Sequence, residues 1–409
     1  MRWPTGQVRS WAIVGMLALS GAANAQEPPG GIPKADRRRA YVGSLFNPGA
    51  AGPGIDSARD KTFLDGALDR ETGWPLVFLD HFAPKPGRLD RFWVVRTRDC
   101  PQVAGSDAWP CLEVCRFGPD GRFERRDPGE LLGQVVGHPV FIQVQGNLTT
   151  PDKALGGLLW THTWLDRYRA LPPDAVVVAF DWPSESVSRS EIRDVNEKAR
   201  RADVAAFHLA RFIQALPTDA RICVFGQSFG VRVTLGALHL LGGGELAGTR
   251  GKPASRLAGH RADLQLRAVV LAGAADHDWL DPGKRFDRAL SATSGLLNLY
   301  NRRDRALLLY PLLGRPVRHR SLGRIGLTQS DFDRLGPSAA CYAERDVREF
   351  LGPEHTLLDA VANPEIARAM APYTWTPAAS TMPPPPPPVA TPRPGFPNAD
   401  RPGPSQRRR

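Results

Sequence analysis

The apolar run Arg221-Ile222-Cys223-Val224-Phe225 leads directly into Gly226-Gln227-Ser228-Phe229-Gly230, and the stretch from Val231 to Leu241 beyond it suits a helix. A short buried strand closed by G-x-S-x-G and followed by a helix describes a sharp strand-turn-helix elbow. The serine of such a turn takes a strained backbone position. Its flanking positions must be glycine, because a side chain there would collide with the neighbouring strand and helix. Ser228 is therefore expected to stand exposed above the edge of a sheet. With 40 glycines in 409 residues the pattern alone is weakly specific; the flanking strand and helix, and the partners further along the chain, give it weight.

Strand and helix signals alternate around the elbow. Arg91 to Val95 reads as a strand, and Leu112 to Phe117 with Arg122 to Arg126 flank Pro119-Asp120-Gly121 as a hairpin. Pro139 to Val144 then reads as a strand, Pro151 to Leu171 as a helix, Ala175 to Phe180 as a strand and Asp194 to Leu216 as a long helix. Strands at Leu266 to Ala272 and Gly295 to Tyr300 continue the series beyond the elbow. Apolar strands separated by helices imply an α/β fold with a mostly parallel central sheet, helices on both faces and an N-terminal β-rich extension.

The two ends read differently. Met1 to Ala25 has Arg2 and Arg9, an apolar stretch from Trp11 to Leu19, and Ala23-Asn24-Ala25 before Gln26, the form of a secretory signal peptide. The uncharged segment from Ser10 to Gln26 is 17 residues long, short of the roughly 20 apolar residues that a membrane span needs. Pro377 to Arg409, with its run Pro383 to Pro388, cannot bury enough apolar surface to fold and reads as a mobile tail. The organisation expected is a signal peptide over 1–25, an irregular segment over 26–88, a β-rich part over 89–138, the α/β core over 139–373 and a disordered tail over 374–409. The mature product is expected to be periplasmic or secreted, without an integral membrane segment. Of the net charge of +11, the leader contributes two and the tail four, and the remaining +5 is spread without a basic stripe, so nucleic-acid binding is not indicated.

Export brings five cysteines into an oxidising compartment. Cys100, Cys111 and Cys115 cluster, so a local bridge from Cys100 to Cys111 or Cys115 is expected, while Cys223 and Cys341 read as buried free thiols. No histidine pair falls at ligand spacing near the cysteine cluster, and neither a metal nor a cofactor is implied.

A serine hydroxyl needs a base to take its proton and an acid to orient that base. With the nucleophile on a strand-to-helix elbow, the acid and then the histidine follow in the chain. Of the histidines after Ser228, His355 lies in a loop before the last helix, where a base can hang over the strand ends. His239 belongs to the elbow helix, His260 to a polar loop and His319 to a basic stretch, and His277 follows its strand too closely. Asp304 follows the strand Leu296 to Tyr300 and is the expected acid, with Asp276 or Asp278 as substitutes. Donors for an oxyanion are expected from the backbone N–H of Phe229 and from the Gln145-Gly146-Asn147-Leu148 loop, through Gly146 or Asn147.

The segments Gln145-Gly146-Asn147, Asp181-Trp182-Pro183-Ser184, Gly226 to Gly230, Asn301-Arg302-Arg303-Asp304-Arg305-Ala306-Leu307 and Glu354-His355-Thr356 together resemble an uncharacterised bacterial branch of the α/β-hydrolase superfamily, over about Pro139 to Asp359. Members of that branch read H-G-x-N, W-P-S, H-S-x-G, N-x-D-x-A-L and G-H-[ST] at these places. Here Gln145, Gln227 and Glu354 replace the usual His, His and Gly. The resemblance implies Ser228 as nucleophile, His355 as base and Asp304 as acid, with Gln145, Gln227 and Trp182 bordering the pocket. The activity expected is that of an exported serine hydrolase acting on a small-molecule ester or other acyl substrate. The alternative is a hydrolase-fold protein that only binds. Substrate identity and oligomeric state stay open, and pocket selectivity is expected from the loops Asp276 to Ser294 and Tyr310 to Gly336.

Overall fold

Nine strands make one sheet in the computed structural model, which describes residues 90–377 apart from 102–110, 119–122, 148, 150, 189–190, 247–256, 258–262 and 313–318. The leader, the segment before residue 90, the proline-rich tail and His260 lie outside the described residues. The strands are β1 (Phe92–Arg96), β2 (Glu113–Phe117), β3 (Phe123–Arg125), β4 (Pro139–Val144), β5 (Val176–Asp181), β6 (Arg221–Gln227), β7 (Gln265–Leu271), β8 (Gly295–Tyr300) and β9 (Tyr342–Asp346), ordered β3-β2-β1-β5-β4-β6-β7-β8-β9. From β1 to β9 every pairing is parallel; β2 and β3 add an antiparallel hairpin at one edge. The central strands explain why their sequences are continuous apolar runs: all residues of β4 and β5 are buried, as a parallel sheet covered on both faces requires.

The main helices are α1 (Pro128–Gln134), α2 (Pro151–Arg167), α3 (Glu191–Ala215) and α4 (Phe229–Leu241). The path β4-α2-β5 steps one way along the sheet, whereas β5-α3-β6 and β6-α4-β7 step the other way. Right-handed crossovers then put α2 on one face and α3 and α4 on the other, and α3 packs closely along α4. Every residue of α4 is buried between α3 and the sheet. The loops after β4 and β6 consequently diverge to opposite faces, leaving a crevice between adjacent strand ends, the usual location of sites in open α/β sheets.

The structure differs from the sequence reading at several elements. Helix α1 lies where no element was expected; Asp127 caps it by accepting from Gly129 N at 2.7 Å, and Pro128 occupies its first turn. Strand β9 escaped notice because Tyr-Ala-Glu-Arg-Asp has no apolar pattern: it is an edge strand with only Tyr342 buried. Helix α2 stops at Arg167 rather than Leu171, because Arg169 turns the chain with φ of 53°.

Cys100 and Cys111 are bridged, leaving Cys115 and Cys223 buried and free. Burial, with Glu113 close by, pushes the Cys115 thiol up to about 11. Cys341, read from sequence as buried, is partly exposed, because it ends a surface turn just before the edge strand. The bridge closes a loop with a sequence separation of 11, and replacing both cysteines by serine is expected to lower stability by about 3 kcal/mol on the chain-entropy account. The measurement is the unfolding free energy from urea titration, with an m-value that rises as the unfolded ensemble expands.

His208 on α3 is 1% exposed and packs beside the bridge, with its ring nitrogen within 4.8 Å of both sulfurs. Burial pushes its imidazole down from 6.5 to about 4, and the Pro101 carbonyl opposes this to a smaller extent. The unfolded chain thus binds a proton that the native state refuses as pH falls from 6.5 toward 4, so stability is lost across that window, by about 3 kcal/mol once below it. The stability of His208→Gln, measured by denaturant titration at several pH values, is expected to vary less with pH between 6.5 and 4 than that of the wild type.

Candidate active site

At the end of β6 the chain enters the elbow with Ser228 at φ 55° and ψ −118°. A non-glycine residue held there stores on the order of 1–3 kcal/mol of strain, which surrounding bonds must hold in place. They do so from two sides: Ser228 N donates to Leu271 O at 3.0 Å, and Ser228 O accepts from Val231 N and Ala274 N, both at 3.1 Å. Gly230 shows why the motif needs its second glycine. A Cβ there would sit 2.3 Å from Val144 O and 2.6 Å from Gln145 O, so the first turn of α4 lies directly against the end of β4.

His355 reaches this serine from the far end of the chain. Its Nε2 lies 2.9 Å from Ser228 Oγ, and its Nδ1 lies 2.6 Å from Asp304 Oδ2. An ionised carboxylate only accepts, so Nδ1 carries the proton toward Asp304 and Nε2 is left to accept from the serine hydroxyl. Asp304 is fully buried at its side chain and caps the short helix Arg305–Leu308, its Oδ1 accepting from Leu307 N at 2.9 Å. Both oxygens of one carboxylate are thereby fixed. Arg302, two residues before Asp304, turns instead to Asp346 at 3.4 Å.

Asn301, part of the motif around Asp304 but given no role from sequence, holds the histidine loop. It is 1% exposed, and its Nδ2 donates to Gly352 O at 2.9 Å and to Glu354 O at 3.2 Å. Arg305 N donates to Pro353 O at 3.2 Å. The loops after β8 and β9 are thus joined on both sides of the Asp304–His355 contact.

The loop after β4 passes over the serine. A Cβ on Gly146 would lie 3.0 Å from Ser228 Cβ, 2.5 Å from Gln227 Oε1 and 3.1 Å from Gln227 O, so only glycine fits without displacement. Asn147 is half-buried, with its Oδ1 shielded from solvent and making no hydrogen bond. Phe229 is the first residue of α4, so its N–H has no acceptor within the helix and lies at the positive end of the helix dipole.

Gln145 and Trp182 are placed differently from the pocket-bordering positions expected of them, whereas Gln227 is partly exposed beside the loop over Ser228. Trp182 is fully buried and donates through Nε1 to Gln145 O at 2.9 Å; Gln145 is buried and donates through Nε2 to Asp181 Oδ1 at 3.0 Å. These two brace the β4 loop from beneath, and Gln227 packs against Gly146. A cavity beside Phe229, the residue after Ser228, is lined by Ala274, Arg232, Asp276, Tyr310, His319 and, from α3, Val195 and Ala199. The loops after residues 276 and 310 contribute, as the sequence suggested; the α3 side was missed because an amphipathic helix facing a cavity has the same periodicity as one facing a core.

The other candidates are engaged elsewhere. Asp276 accepts from Tyr310 OH at 2.6 Å, Asp278 pairs with Lys284 at 3.1 Å, and His277 Nδ1 lies 2.7 Å from Asp331. His239 Nδ1 accepts from Arg288 N at 3.2 Å, and its Nε2 lies 3.1 Å from Glu245 O, to which it donates. Among the described residues, Asp276, Asp278 and His319 offer ligand atoms within 4.8 Å of one another, and a second such group contains Cys100 and Cys111, whose sulfurs are in the disulfide.

No family model matches the chain, and no curated protein matches it. Among solved structures, the chain is similar to esterase B from Lactobacillus rhamnosis, in a crystal structure with a tributyrin phosphonate inhibitor, at 10% identity over 69% of this chain and 85% of that one, with a TM-score of 0.32. It is also similar to the esterase LipW from Mycobacterium marinum, at 12% identity over 66% and 80% of the two chains, with a TM-score of 0.29.

The close approach of Gly146 generates a prediction. Gly146→Ala is expected to swing the Gln227 amide aside and shift the β4 loop against Ser228 by a few tenths of an ångström, slowing phosphonylation of that serine by a fluorophosphonate by about 10-fold. Thermal denaturation checks that the variant is folded, and unchanged labelling of a folded variant would contradict the expectation.

Proposed function

We propose that this chain is a serine hydrolase of the α/β-hydrolase fold that cleaves carboxylic esters through an acyl-enzyme. The observation that carries the reading is the continuous contact Ser228–His355–Asp304, drawn from three loops at the same end of the sheet. In this reading Ser228 Oγ attacks the ester carbonyl carbon as its proton passes to His355 Nε2, and Asp304 stabilises the imidazolium that forms. The carbonyl oxygen becomes an oxyanion that takes hydrogen bonds from Phe229 N–H and from the Gly146–Asn147 backbone. His355 then protonates the departing alcohol as the C–O bond breaks. A water molecule, giving its proton to the same nitrogen, repeats the attack on the acyl-enzyme and returns the acid and free Ser228.

The Met1–Ala25 pattern and the Cys100–Cys111 bridge support the expectation that the protein works outside the cytoplasm. Esters are the default because the site offers positioned donors and a base and needs no further chemistry for an alcohol leaving group.

The test is labelling of purified protein by a fluorophosphonate, with Ser228→Ala beside it. Wild-type labelling that disappears in Ser228→Ala is expected, and Asp304→Asn is expected to lower turnover of p-nitrophenyl acetate by on the order of 10⁴-fold with its fold intact. Absence of Ser228-dependent labelling in folded protein would overturn the assignment.

A further inference from the structure

Arg98, in the segment before the disulfide, stands at a junction that no catalytic motif includes. It follows β1, and its side chain is 16% exposed. Its Nε donates to Asp181 Oδ2 at 2.7 Å and its Nη2 to Asp181 Oδ1 at 2.6 Å, the two-pronged fit that only a guanidinium makes with a carboxylate. The same Nη2 donates to Thr149 O at 3.3 Å, and Nη1 meets the carboxylate of Glu185.

Asp181 is 1% exposed and passes the contact on. Its Oδ1 also accepts from Gln145 Nε2 at 3.0 Å, while its backbone O accepts from Thr97 N at 2.9 Å. Gln145 directly precedes Gly146, the residue lying over Ser228. The β4 loop is therefore tied to Arg98 at both ends, through Asp181 to Gln145 and directly at Thr149. Ser184 Oγ adds a bond to Thr149 O at 3.1 Å, and Trp182 Nε1 a bond to Gln145 O.

We propose that Arg98 is a positioning residue for the reaction: through Asp181 and Gln145, it fixes the height of the Gly146–Asn147 backbone above Ser228 and so sets how well the oxyanion is held. The inference rests on the hydrolase reading of the site. It gives the N-terminal segment a part in the chemistry, although it supplies no group that touches substrate. It also explains how glutamine serves at 145, where relatives by resemblance carry histidine: its amide reaches the carboxylate that Arg98 orients.

The experiment compares wild type, Arg98→Ala, Arg98→Lys, Gln145→Ala and the Arg98→Ala/Gln145→Ala double variant, each checked for folding by thermal denaturation. The readouts are p-nitrophenyl acetate hydrolysis, the rate of fluorophosphonate labelling and inhibition by a trifluoromethyl ketone, whose adduct places an oxyanion over the serine. Arg98→Ala and Gln145→Ala are each expected to lower kcat and the labelling rate by about 10- to 100-fold, with KM within about twofold, since only a transition-state contact is lost. Ketone affinity should fall in parallel with kcat/KM. The double variant should be no worse than the weaker single one by more than about threefold, because both changes cut one chain of bonds. Arg98→Lys keeps the charge beside Asp181 and is the variant that reports if Arg98→Ala does not fold; lacking the fork, it should stay at least about fivefold slow.

The proposal is overturned if folded Arg98→Lys and Gln145→Ala label within threefold of wild type, if kcat falls while ketone affinity holds, or if the two single losses simply multiply. Wild-type protein without Ser228-dependent labelling would instead sink the hydrolase reading itself, a distinct result.

Discussion

The close approach of α4 to the end of β4 is the constraint from which the site follows. Gly230 presses against the carbonyls of Val144 and Gln145 closely enough to exclude any Cβ. That contact brings the first turn of α4 to the start of the loop that crosses Ser228. It also forces the chain at Ser228 into a positive φ, since a strand must become a helix with no room for a wider turn. The strained serine is held by hydrogen bonds to β7 and to the loop after it, so the geometry is determined from both neighbouring strands and not by the local sequence alone.

Around that contact, the strand-end loops are tied to one another mostly by buried side chains bonding to backbone. Asn301 joins the loop after β8 to the one carrying His355, Trp182 and Ser184 join the loop after β5 to the one over Ser228, and Asp304 caps a helix with the carboxylate oxygen that does not face the histidine. Each such bond adds only about 1 kcal/mol net to stability, but leaving any of these buried groups unpaired costs more. The arrangement therefore resists alternative loop positions, which is the property that a preorganised site requires.

The core elements were legible because their sequence signals are local: continuous apolar runs for β4 to β8, and a turn whose glycines admit few alternatives. Ser228, Asp304 and His355 were legible for a related reason, since each follows a strand or loop in a fixed chain order. What sequence could not supply was the direction in which side chains point. Gln145 and Trp182 occupy motif positions next to the site, yet both turn beneath the loop, because Asp181 and the Gln145 carbonyl offer buried partners there. Arg98 gave no signal at all, lying 83 residues from Asp181 in a chain rich in arginine. The edge strand β9 and helix α1 were hidden because one is polar on its exposed face and the other is only seven residues long.

The charges around the cavity next to Phe229 bear on what it would admit. Arg232 is buried, packs over the Trp279 ring at 5.0 Å and lies 3.3 Å from Asp203; Arg285 packs against the same ring at 5.2 Å and pairs with the same carboxylate at 2.6 Å. Asp276, on the same wall, accepts from the Tyr310 hydroxyl. A charge already paired in a buried wall gains little from a second partner, because that partner must be desolvated to reach it. The lining then offers an incoming group both apolar surface, from Val195, Ala199, Phe229 and Ala274, and polar groups, from Asn196, Tyr310 and His319. On the hydrolase reading, a group entering here meets a mixed wall in which the Arg232 guanidinium is already paired with Asp203, so that guanidinium does little to select an anionic portion.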